Sequence, residues 1–280
     1  MSFLTYCHSL TRRARTNFYY AFVFLPKPRR EAIFAAYAFS RHTDDLVDDR
    51  VEGVPEESLA RWRAELEACY EGRPAHPITR RLAETLRQFP IPKQYFCDLI
   101  DGVEMDLTMR RYETFEDLYA YCYRVAAVIG LICIEIFGYT NPRARDYAVS
   151  LGIALQLTNI LRDLGTDAEQ DRIYLPRQDL ERFGVTEDDL RARRYNDALR
   201  GLMAFECGRA REYYARAAAL LPPEDRARLF SAEIMGRIYY GLLEKIERRR
   251  YDVFTRRIAL STPHKFAIAL GLWARSRWTS

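Results

Sequence analysis

The sequence predicts an all-α fold in a single domain. Apolar residues recur at spacings of three and four along most of the 280 residues, which is the period of an amphipathic helix. No segment alternates apolar and polar residues over a useful length, and neither the Rossmann nor the P-loop glycine pattern occurs. No linker, repeat or change of composition divides the chain. We therefore predict one domain over residues 1–280.

Prolines, glycines and capping residues set the predicted helix boundaries. Pro26 and Pro28 precede the first long helix, Thr114 is a predicted N-cap, and the Asn141-Pro142 pair opens another helix. A short helix is expected within residues 3–25 and a loop at 168–178. The remaining predicted helices cover residues 29–49, 58–72, 78–88, 93–110, 115–139, 143–167, 187–194, 196–220, 223–251 and 262–277.

Composition excludes several classes of protein. The net charge of +4 is too small and too dispersed to indicate nucleic-acid binding, and hydrophobic residues make up 49% of the chain, enough for a large core. The six cysteines form no CxxC pair, so we expect neither a zinc site nor disulfides. We find no apolar run near the roughly 18 residues of a membrane span and no signal-peptide core. A soluble, cytoplasmic protein is expected, with a monomer as the favoured state.

The segment from Gln156 to Asp167 carries a row of oxygen ligands. Asn159, Asp163 and Asp167 are spaced i, i+4 and i+8, which on a helix places them on one face about 6 Å apart along the axis. Acids on a wet helix face show the same spacing, but the flanking residues here are mostly apolar, and buried carboxylates need cations. Mg²⁺ suits such a row, because it binds a few carboxylates and takes further ligands from a substrate phosphate. We predict a Mg²⁺ site, with Mn²⁺ as the alternative ion.

A second row makes this interpretation stronger. Asp44 and Asp48 are spaced i, i+4, and Tyr37 and Arg41 precede them on nearly the same face of an otherwise apolar helix. Two acidic rows on separate apolar helices can face each other across a cavity and hold a diphosphate through metal ions. A single DxxxD is a weak signal, whereas the pair is a strong one.

These residues identify a family resemblance. The chain resembles the squalene/phytoene synthase family, the head-to-head prenyl-diphosphate synthases, from about Asn17 to about Lys265. The stretches that carry the resemblance are residues 44–48, 121–126, 156–167 and 172–176. The resemblance implies an isoprenoid-synthase type of helical bundle around a central apolar cavity.

The resemblance also implies roles for particular residues. Tyr121 matches the family tyrosine near the reacting carbons and is the candidate for assisting proton loss, with the released diphosphate as an equal alternative. The predicted catalytic carboxylates are Asp44, Asp48, Asp163 and Asp167, and the predicted metal ligands are these four with Asn159. The predicted diphosphate contacts are Arg41, Arg162, Arg172, Asn159, Gln156, Tyr251 and Arg257. For Arg162, an internal ion pair with the adjacent acids is an equal alternative.

Aromatic and aliphatic side chains near the acids suit a carbocation that must be kept from water. For each one taken singly, core packing is the more common role, so the prediction depends on the set. The predicted cavity residues are Phe18, Phe22, Tyr37, Val125 and Ile129.

The resemblance implies condensation of two farnesyl diphosphates to presqualene diphosphate, as in the bacterial hopanoid pathway. The alternatives are a phytoene synthase that uses geranylgeranyl diphosphate and a squalene or dehydrosqualene synthase that completes a second half-reaction. The chain shows no nicotinamide-binding pattern, so NADPH is not expected. Thr16-Asn17 departs from the small hydroxyl residues that many members carry there.

Two other kinds of protein remain alternatives. A non-catalytic helical scaffold would bind a structural cation through the same acids. A peripheral lipid-binding protein, or an enzyme that associates peripherally with the inner face of a membrane, would use the apolar stretch from Phe266 to Trp278, for which a packed last helix is an alternative.

Overall fold

A computed structural model of the chain describes residues 21–48 and 54–278, with side chains described for 21–47 and 54–274. Within these ranges the regular elements are helical, apart from an isolated bridge between Arg111 and Ile173. The helices are α1 (Lys27–Asp48), α2 (Pro55–Tyr70), α3 (Pro77–Gln88), α4 (Lys93–Thr108), α5 (Phe115–Cys122), α6 (Val128–Phe137), α7 (Arg143–Glu169), α8 (Arg177–Phe183), α9 (Glu187–Arg191), α10 (Asp197–Leu220), α11 (Phe230–Arg248) and α12 (Thr262–Trp278). The predicted all-α class is confirmed.

Local sequence explains where several helices begin. Thr114 and Asp117 form a reciprocal capping box at α5: the Thr114 hydroxyl accepts from the Asp117 amide at 3.2 Å, and the Asp117 carboxylate accepts from the Thr114 amide at 3.0 Å. Such a box satisfies two amide groups that a helix start leaves without partners. Proline occupies the first turn of α2 and α3, where a missing amide proton costs nothing.

Helix α7 is the centre of the bundle. It is 27 residues long and packs against α6, α10, α11 and a short segment between α5 and α6. Fifteen of its residues are buried, so it has core on most sides. The predicted acidic row therefore lies on a helix that the rest of the fold surrounds, which determines where a site can form.

The segment between α5 and α6, Tyr123–Ala127, is a π-helix. A Cβ atom on Gly152 of α7 would lie 2.5 Å from Ala127 Cα, and one on Gly102 of α4 would lie 2.7 Å from Arg124 Cβ. Only glycine allows the two helices to approach the π segment this closely. Single-turn π segments are rare overall, but those that occur are often found at functional sites. This one packs directly against the central helix α7.

The structure corrects four predictions, three of which concern helix boundaries. The helix predicted at 115–139 contains the π segment, and residues 177–183 form α8 where no helix was predicted. The helix predicted at 223–251 begins only at Phe230, after a 3₁₀ turn at Pro223–Asp225. Asp225 is buried and accepts from the Thr140 and Asn141 amides at 2.8 Å each, so this turn is held by a distant loop.

The fourth correction concerns membrane-spanning length. Among the described residues, one continuous helix, Phe115–Phe137, is long and apolar enough to cross a membrane by length and composition, contrary to the sequence expectation. Half of its most apolar window is buried inside the protein. The core helix of a soluble protein passes the same test, so the finding is weak evidence for a span.

Candidate active site

An apolar cavity of about 270 Å³ lies among α1, α4, α6, α7, α11 and the π segment. Apolar side chains line most of the cavity, and the polar side chains that line it come from α1, α7 and α11. The lining residues are Phe22, Ile33, Ala36, Tyr37, Ser40, Asp44, Leu99, Val125, Ala126, Ile129, Gly130, Ile132, Cys133, Ile134, Phe137, Ala148, Leu151, Gly152, Leu155, Gln156, Asn159, Ala232, Met235 and Tyr239.

The first acidic row reaches this cavity through Asp44. Asp44 and Tyr37 both line it, as the sequence predicts. Arg41 binds the neighbouring Asp45 at 2.6 Å, one turn along the helix. Burial lowers the pKa of Arg41, but Asp45 and then Asp44 outweigh this and raise it, so the guanidinium stays charged beside the row. The side chain of Asp48 lies outside the described residues.

The second row enters the cavity from α7. Gln156 and Asn159 line it opposite α1, and Asn159 Nδ2 donates weakly to Gln156 Oε1 at 3.4 Å. The Asn159 Oδ1 atom is buried and has no hydrogen-bond partner. Leaving a buried acceptor unpaired costs about 1–3 kcal/mol. An unpaired amide oxygen on the cavity wall is a ready ligand for a cation.

Asp163 and Asp167 continue the row beyond the residues that line the cavity. Arg162 donates to Asp163 through Nε at 2.9 Å and also hydrogen-bonds Tyr239 of α11. Burial raises the pKa of Asp167 to about 7, and the charge of Asp163 adds to the rise, while Arg172 and Arg162 oppose it. Burial is thus the main reason that the Asp167 carboxyl holds its proton more tightly than a free aspartate does.

Tyr239 connects the two walls. It lines the cavity, hydrogen-bonds Arg162 of α7, and its charge contributes to the raised pKa of Tyr37 on α1, which is caused first by burial. The sequence analysis did not single out Tyr239. Its only signal was its position on the buried face of a predicted helix, which many core tyrosines share.

A tightly bonded turn carries Arg172 back toward the row. Asp171 has a left-handed backbone, with φ at 59°. Its carboxylate binds Arg111 at 2.6 Å, Arg191 at 3.3 Å and Arg110 at 3.4 Å. These ion pairs offset the strain of the turn. The charge of Arg172 then lowers the pKa of Asp167, which places the guanidinium beside the acidic row as predicted.

Besides Arg162 and Arg172, a further cation lies near the row: Lys265 of α12, which the sequence pattern did not indicate. Burial lowers its pKa, and the positive charges of Arg162 and Arg257 lower it further. Lys265 therefore lies close enough to Arg162 and Arg257 for both positive charges to act on its ammonium group. The contact of Arg257 with diphosphate stays a prediction, and nothing in the spacing of Lys265 indicates its approach.

Tyr251, one of the predicted diphosphate contacts, does not line the cavity. Burial raises its pKa, with contributions from Cys207 and Glu247, so its hydroxyl lies toward α10 and α11. Tyr251 follows Arg250, and both have left-handed backbones, with φ at 69° and 53°. These consecutive conformations turn the chain after α11 and direct the side chain away. Tyr239, three turns earlier, lies on the cavity wall instead.

The other predicted cavity residues mostly appear where expected. Phe22, Val125 and Ile129 line the cavity together with Tyr37, and the Phe22 ring lies 6.2 Å from that of Phe137. Phe18 lies outside the described residues. Tyr121 is buried, but it is not among the residues that line the cavity. Its hydroxyl donates instead to Asp106 at 3.3 Å.

The donor set fits a hard divalent cation. Among the described residues no three carboxylate, imidazole or thiolate groups already converge on one point. The unpaired Asn159 Oδ1 atom on the cavity wall and the carboxyl groups of Asp163 and Asp167 farther along α7 nevertheless provide a row of oxygen ligands. Mg²⁺ accepts such incomplete protein shells, because it usually retains waters and substrate oxygens.

Comparison with known proteins decides the family. The sequence profile of the squalene/phytoene synthase family matches residues 11–264. The chain belongs to this family. The predicted resemblance is therefore confirmed, and the protein is a prenyltransferase of the squalene/phytoene synthase family.

Individual relatives cover almost the whole chain. A phytoene synthase of Arthrospira platensis is 38% identical over 91% of this chain and 87% of its own length, and a 15-cis-phytoene synthase of Synechocystis is 37% identical over 97% and 84%. The crystal structure of a dehydrosqualene synthase superposes with a TM-score of 0.84 at 30% identity, covering 98% of this chain and 96% of that one. Squalene synthase HpnC from Alicyclobacillus acidocaldarius superposes with a TM-score of 0.80 at 33% identity, covering 89% and 94%.

Family membership gives the cavity a chemical meaning. Enzymes of this family act on prenyl diphosphates, so an apolar cavity with one charged end matches a substrate with an oily chain and an anionic head. Asp44, Gln156 and Asn159 are among the polar residues that line this cavity. The metal-ligand roles of the whole predicted set stay predictions: Asp44, Asp48, Asn159, Asp163 and Asp167.

Proposed function

We propose that the protein catalyses the Mg²⁺-dependent head-to-head condensation of two farnesyl diphosphates, giving presqualene diphosphate, free diphosphate and a proton. The observation that carries the metal-dependent part is the shared cavity. Asp44 from α1 and Asn159 from α7 line one hollow, and the Asn159 Oδ1 atom on its wall has no partner within the protein.

The residues of this chain divide the work of ionising the first substrate. Asp44, Asn159, Asp163 and Asp167, with Asp48, would hold Mg²⁺, which stabilises negative charge on the departing diphosphate. Arg162, Arg172 and Lys265 supply positive charge next to that row. Arginine presents a rigid fork that matches phosphate oxygens. The same groups would keep the released diphosphate in place during the attack of the second substrate.

The cavity wall protects the cation that ionisation leaves on the substrate. Phe22, Tyr37 and Tyr239 present aromatic rings, and most of the other lining residues are aliphatic. A cation near an aromatic face gains about 0.5–2 kcal/mol per ring. The apolar wall excludes water, which would otherwise trap the cation as an alcohol before the second double bond could attack.

The superposed structures support the shorter substrate. A geranylgeranyl chain is one isoprene unit longer than farnesyl and needs a deeper cavity. Relatives named dehydrosqualene synthase and squalene synthase among the superposed structures are compatible with the farnesyl proposal.

A second candidate is a phytoene synthase that condenses two geranylgeranyl diphosphates. The sequence relatives favour it, since the proteins of Arthrospira and Synechocystis that match at 37–38% identity carry that name. The two candidates differ by substrate length and not by the chemistry of the charged end. The same acids and arginines would serve either reaction.

Product analysis by mass spectrometry distinguishes the candidates. Purified protein is incubated with Mg²⁺ and either farnesyl or geranylgeranyl diphosphate, with and without NADPH. The proposal predicts presqualene diphosphate from farnesyl diphosphate and no change on adding NADPH. Phytoene from geranylgeranyl diphosphate, with little turnover of farnesyl diphosphate, would establish the second candidate instead. Squalene formed only with NADPH would show a complete second half-reaction.

A further inference from the structure

Three tyrosines stack beside the acidic row, and we call them the tyrosine cluster: Tyr112, Tyr121 and Tyr174. The rings of Tyr121 and Tyr174 lie 5.2 Å apart and nearly parallel, and those of Tyr112 and Tyr174 lie 5.8 Å apart in the same way. All three are buried. They come from the loop before α5, from α5 itself and from the segment after Arg172, so tertiary packing alone brings them together.

One carboxylate, Asp106 of α4, joins two of the three hydroxyls. Tyr121 donates to Asp106 Oδ2 at 3.3 Å, and Tyr174 donates to Asp106 Oδ1 at 3.3 Å. The two hydroxyl oxygens lie 3.4 Å apart. Because each carboxylate oxygen takes one hydroxyl, both phenols are held in a single orientation. The Tyr112 hydroxyl is also buried, but it has no hydrogen-bond partner.

The cluster adjoins the charged end of the site. The charge of Asp106 contributes to the raised pKa of Asp167, for which burial is the main cause. Arg172 and Asp167 in turn affect the pKa of Tyr174, which burial raises. The backbone makes the same connection, because the Arg172 amide donates to the Asp167 carbonyl oxygen at 2.9 Å and Tyr174 follows Arg172 by two residues. The cluster therefore adjoins the end of the row where the diphosphate is expected. Burial also raises the pKa of Tyr121 well above its ordinary value, and Tyr174 and Asp106 add to this, so its hydroxyl stays protonated and donates.

We propose that Asp106 is a positioning residue and that, with Tyr174, it fixes the Tyr121 hydroxyl in one direction beside the Asp167 end of the acidic row, where the proposed function puts the diphosphate of the substrate. In this proposal Asp106 neither touches substrate nor exchanges a proton. The proposal depends on the prenyltransferase reaction and not on which prenyl chain is used. A purely structural role for the cluster would depend on ring stacking, whereas positioning depends on the two hydrogen bonds.

The cluster supplies its own matched control. Asp106→Asn keeps the size of the side chain but replaces one acceptor oxygen by a donor, so one phenol loses its partner. Tyr174→Phe keeps the stacked ring and removes one hydroxyl. Tyr112→Phe makes the same chemical change on a ring of the same stack whose hydroxyl has no partner. Misplacing a catalytic group by about 1 Å costs about 100-fold in rate, and loss of an orienting partner typically costs 10–100-fold.

The test measures steady-state diphosphate release, with farnesyl and with geranylgeranyl diphosphate, and the melting temperature of every variant. We expect Asp106→Asn to lower kcat about 10–100-fold and Tyr174→Phe about 10-fold, with KM changed less than about 3-fold. The variant that combines Asp106→Asn with Tyr174→Phe should be about as slow as Asp106→Asn alone, because both changes act through the Tyr121 hydroxyl. Tyr112→Phe should retain activity within about 2-fold.

Three results would overturn the inference. The first is full activity in both Asp106→Asn and Tyr174→Phe. The second is a loss in Tyr112→Phe equal to that in Tyr174→Phe, which would assign the cluster a packing role. The third is a raised KM with unchanged kcat, which would make Asp106 a substrate contact. If Asp106→Asn does not fold, the pair of Tyr→Phe variants decides the question. Failure of the wild-type protein to use farnesyl diphosphate would instead contradict the proposed substrate.

Discussion

The apolar and the charged parts of the cavity are completed in different ways. Around the π segment, Gly152 and Gly102 allow helix contacts so close that a Cβ atom would meet backbone or side chain at 2.5–2.7 Å. At the charged end, Asn159 Oδ1 has no partner and the pKa of Asp167 is raised to about 7. The protein itself packs the apolar part, whereas in the proposed function a metal ion and a diphosphate would complete the charged part. The two parts therefore differ in whether their side chains find all their partners within the protein.

Removing one charge from the row should have the largest effect. Asp163→Asn keeps the shape of the side chain and part of its contact with Arg162. Because it removes a predicted ligand of the metal–diphosphate cluster, we expect kcat/KM to fall at least about 100-fold. The free energy of unfolding should change by less than about 1 kcal/mol, because a lost ion pair of a partly exposed carboxylate is offset by relief of its repulsion with Asp167.

Glu169→Gln is the control for that variant. Glu169 lies on the same helix but is exposed and pairs with Arg193 at 2.6 Å. Its activity should equal that of the wild-type protein. If Asp163→Asn and Glu169→Gln had the same activity, the charged end would not be the site of ionisation.

Glu206 offers a comparison with Asp167, because burial raises the pKa of both carboxyl groups to about 7 but Glu206 does not line the cavity. Burial raises the pKa of Glu206 from its ordinary 4.5 to about 7, although Arg209 opposes this, and Asp179 also shares that arginine. The folded protein therefore holds the proton more tightly than the unfolded chain does. The contribution of Glu206 to stability is complete below about pH 4.5 and is lost as the pH rises through 7.

Glu206→Gln should remove this loss. Over the 4.5–7 window the wild-type protein should lose about 3 kcal/mol of unfolding free energy through this group, and the variant should lack that slope. Denaturant unfolding at several pH values measures it. Glu181→Gln, an exposed acid paired with Arg177, should keep the wild-type slope. Equal slopes in the wild-type protein and Glu206→Gln would show that Glu206 remains ionised in the core.

The packing of the apolar part can be tested by adding one methyl group. Gly152→Ala places a Cβ atom 2.5 Å from Ala127 Cα, so the helices must separate, and overpacking of this kind costs about 1–3 kcal/mol. Gly208→Ala on α10 meets no atom within 4 Å and should stabilise by about 0.5–1 kcal/mol. Chemical denaturation measures both. A neutral Gly152→Ala would show that the contact with the π segment is loose.

Much of this arrangement was predictable from local patterns. The spacing of Asn159, Asp163 and Asp167 and the apolar residues around them are enough to indicate a buried polar row. The π segment was not predictable, because residues 123–127 have an ordinary helical pattern and only contacts with neighbouring helices select the extra residue in the turn. Tyr239 and Lys265 reach the site through the packing of α11 and α12, which sequence spacing does not encode. Packing likewise keeps Tyr251 out of the cavity lining, and its contact with diphosphate stays a prediction.

The central claim is that the charged end is completed by a metal and a diphosphate together. Isothermal titration of inorganic diphosphate into the protein, in Mg²⁺ buffer and again with EDTA, tests it most directly. We predict binding with Mg²⁺, loss of binding with EDTA, and binding weakened at least about 10-fold in Asp163→Asn, a difference of about 1.4 kcal/mol. Equal binding with and without Mg²⁺, or no binding in either buffer, would contradict the account.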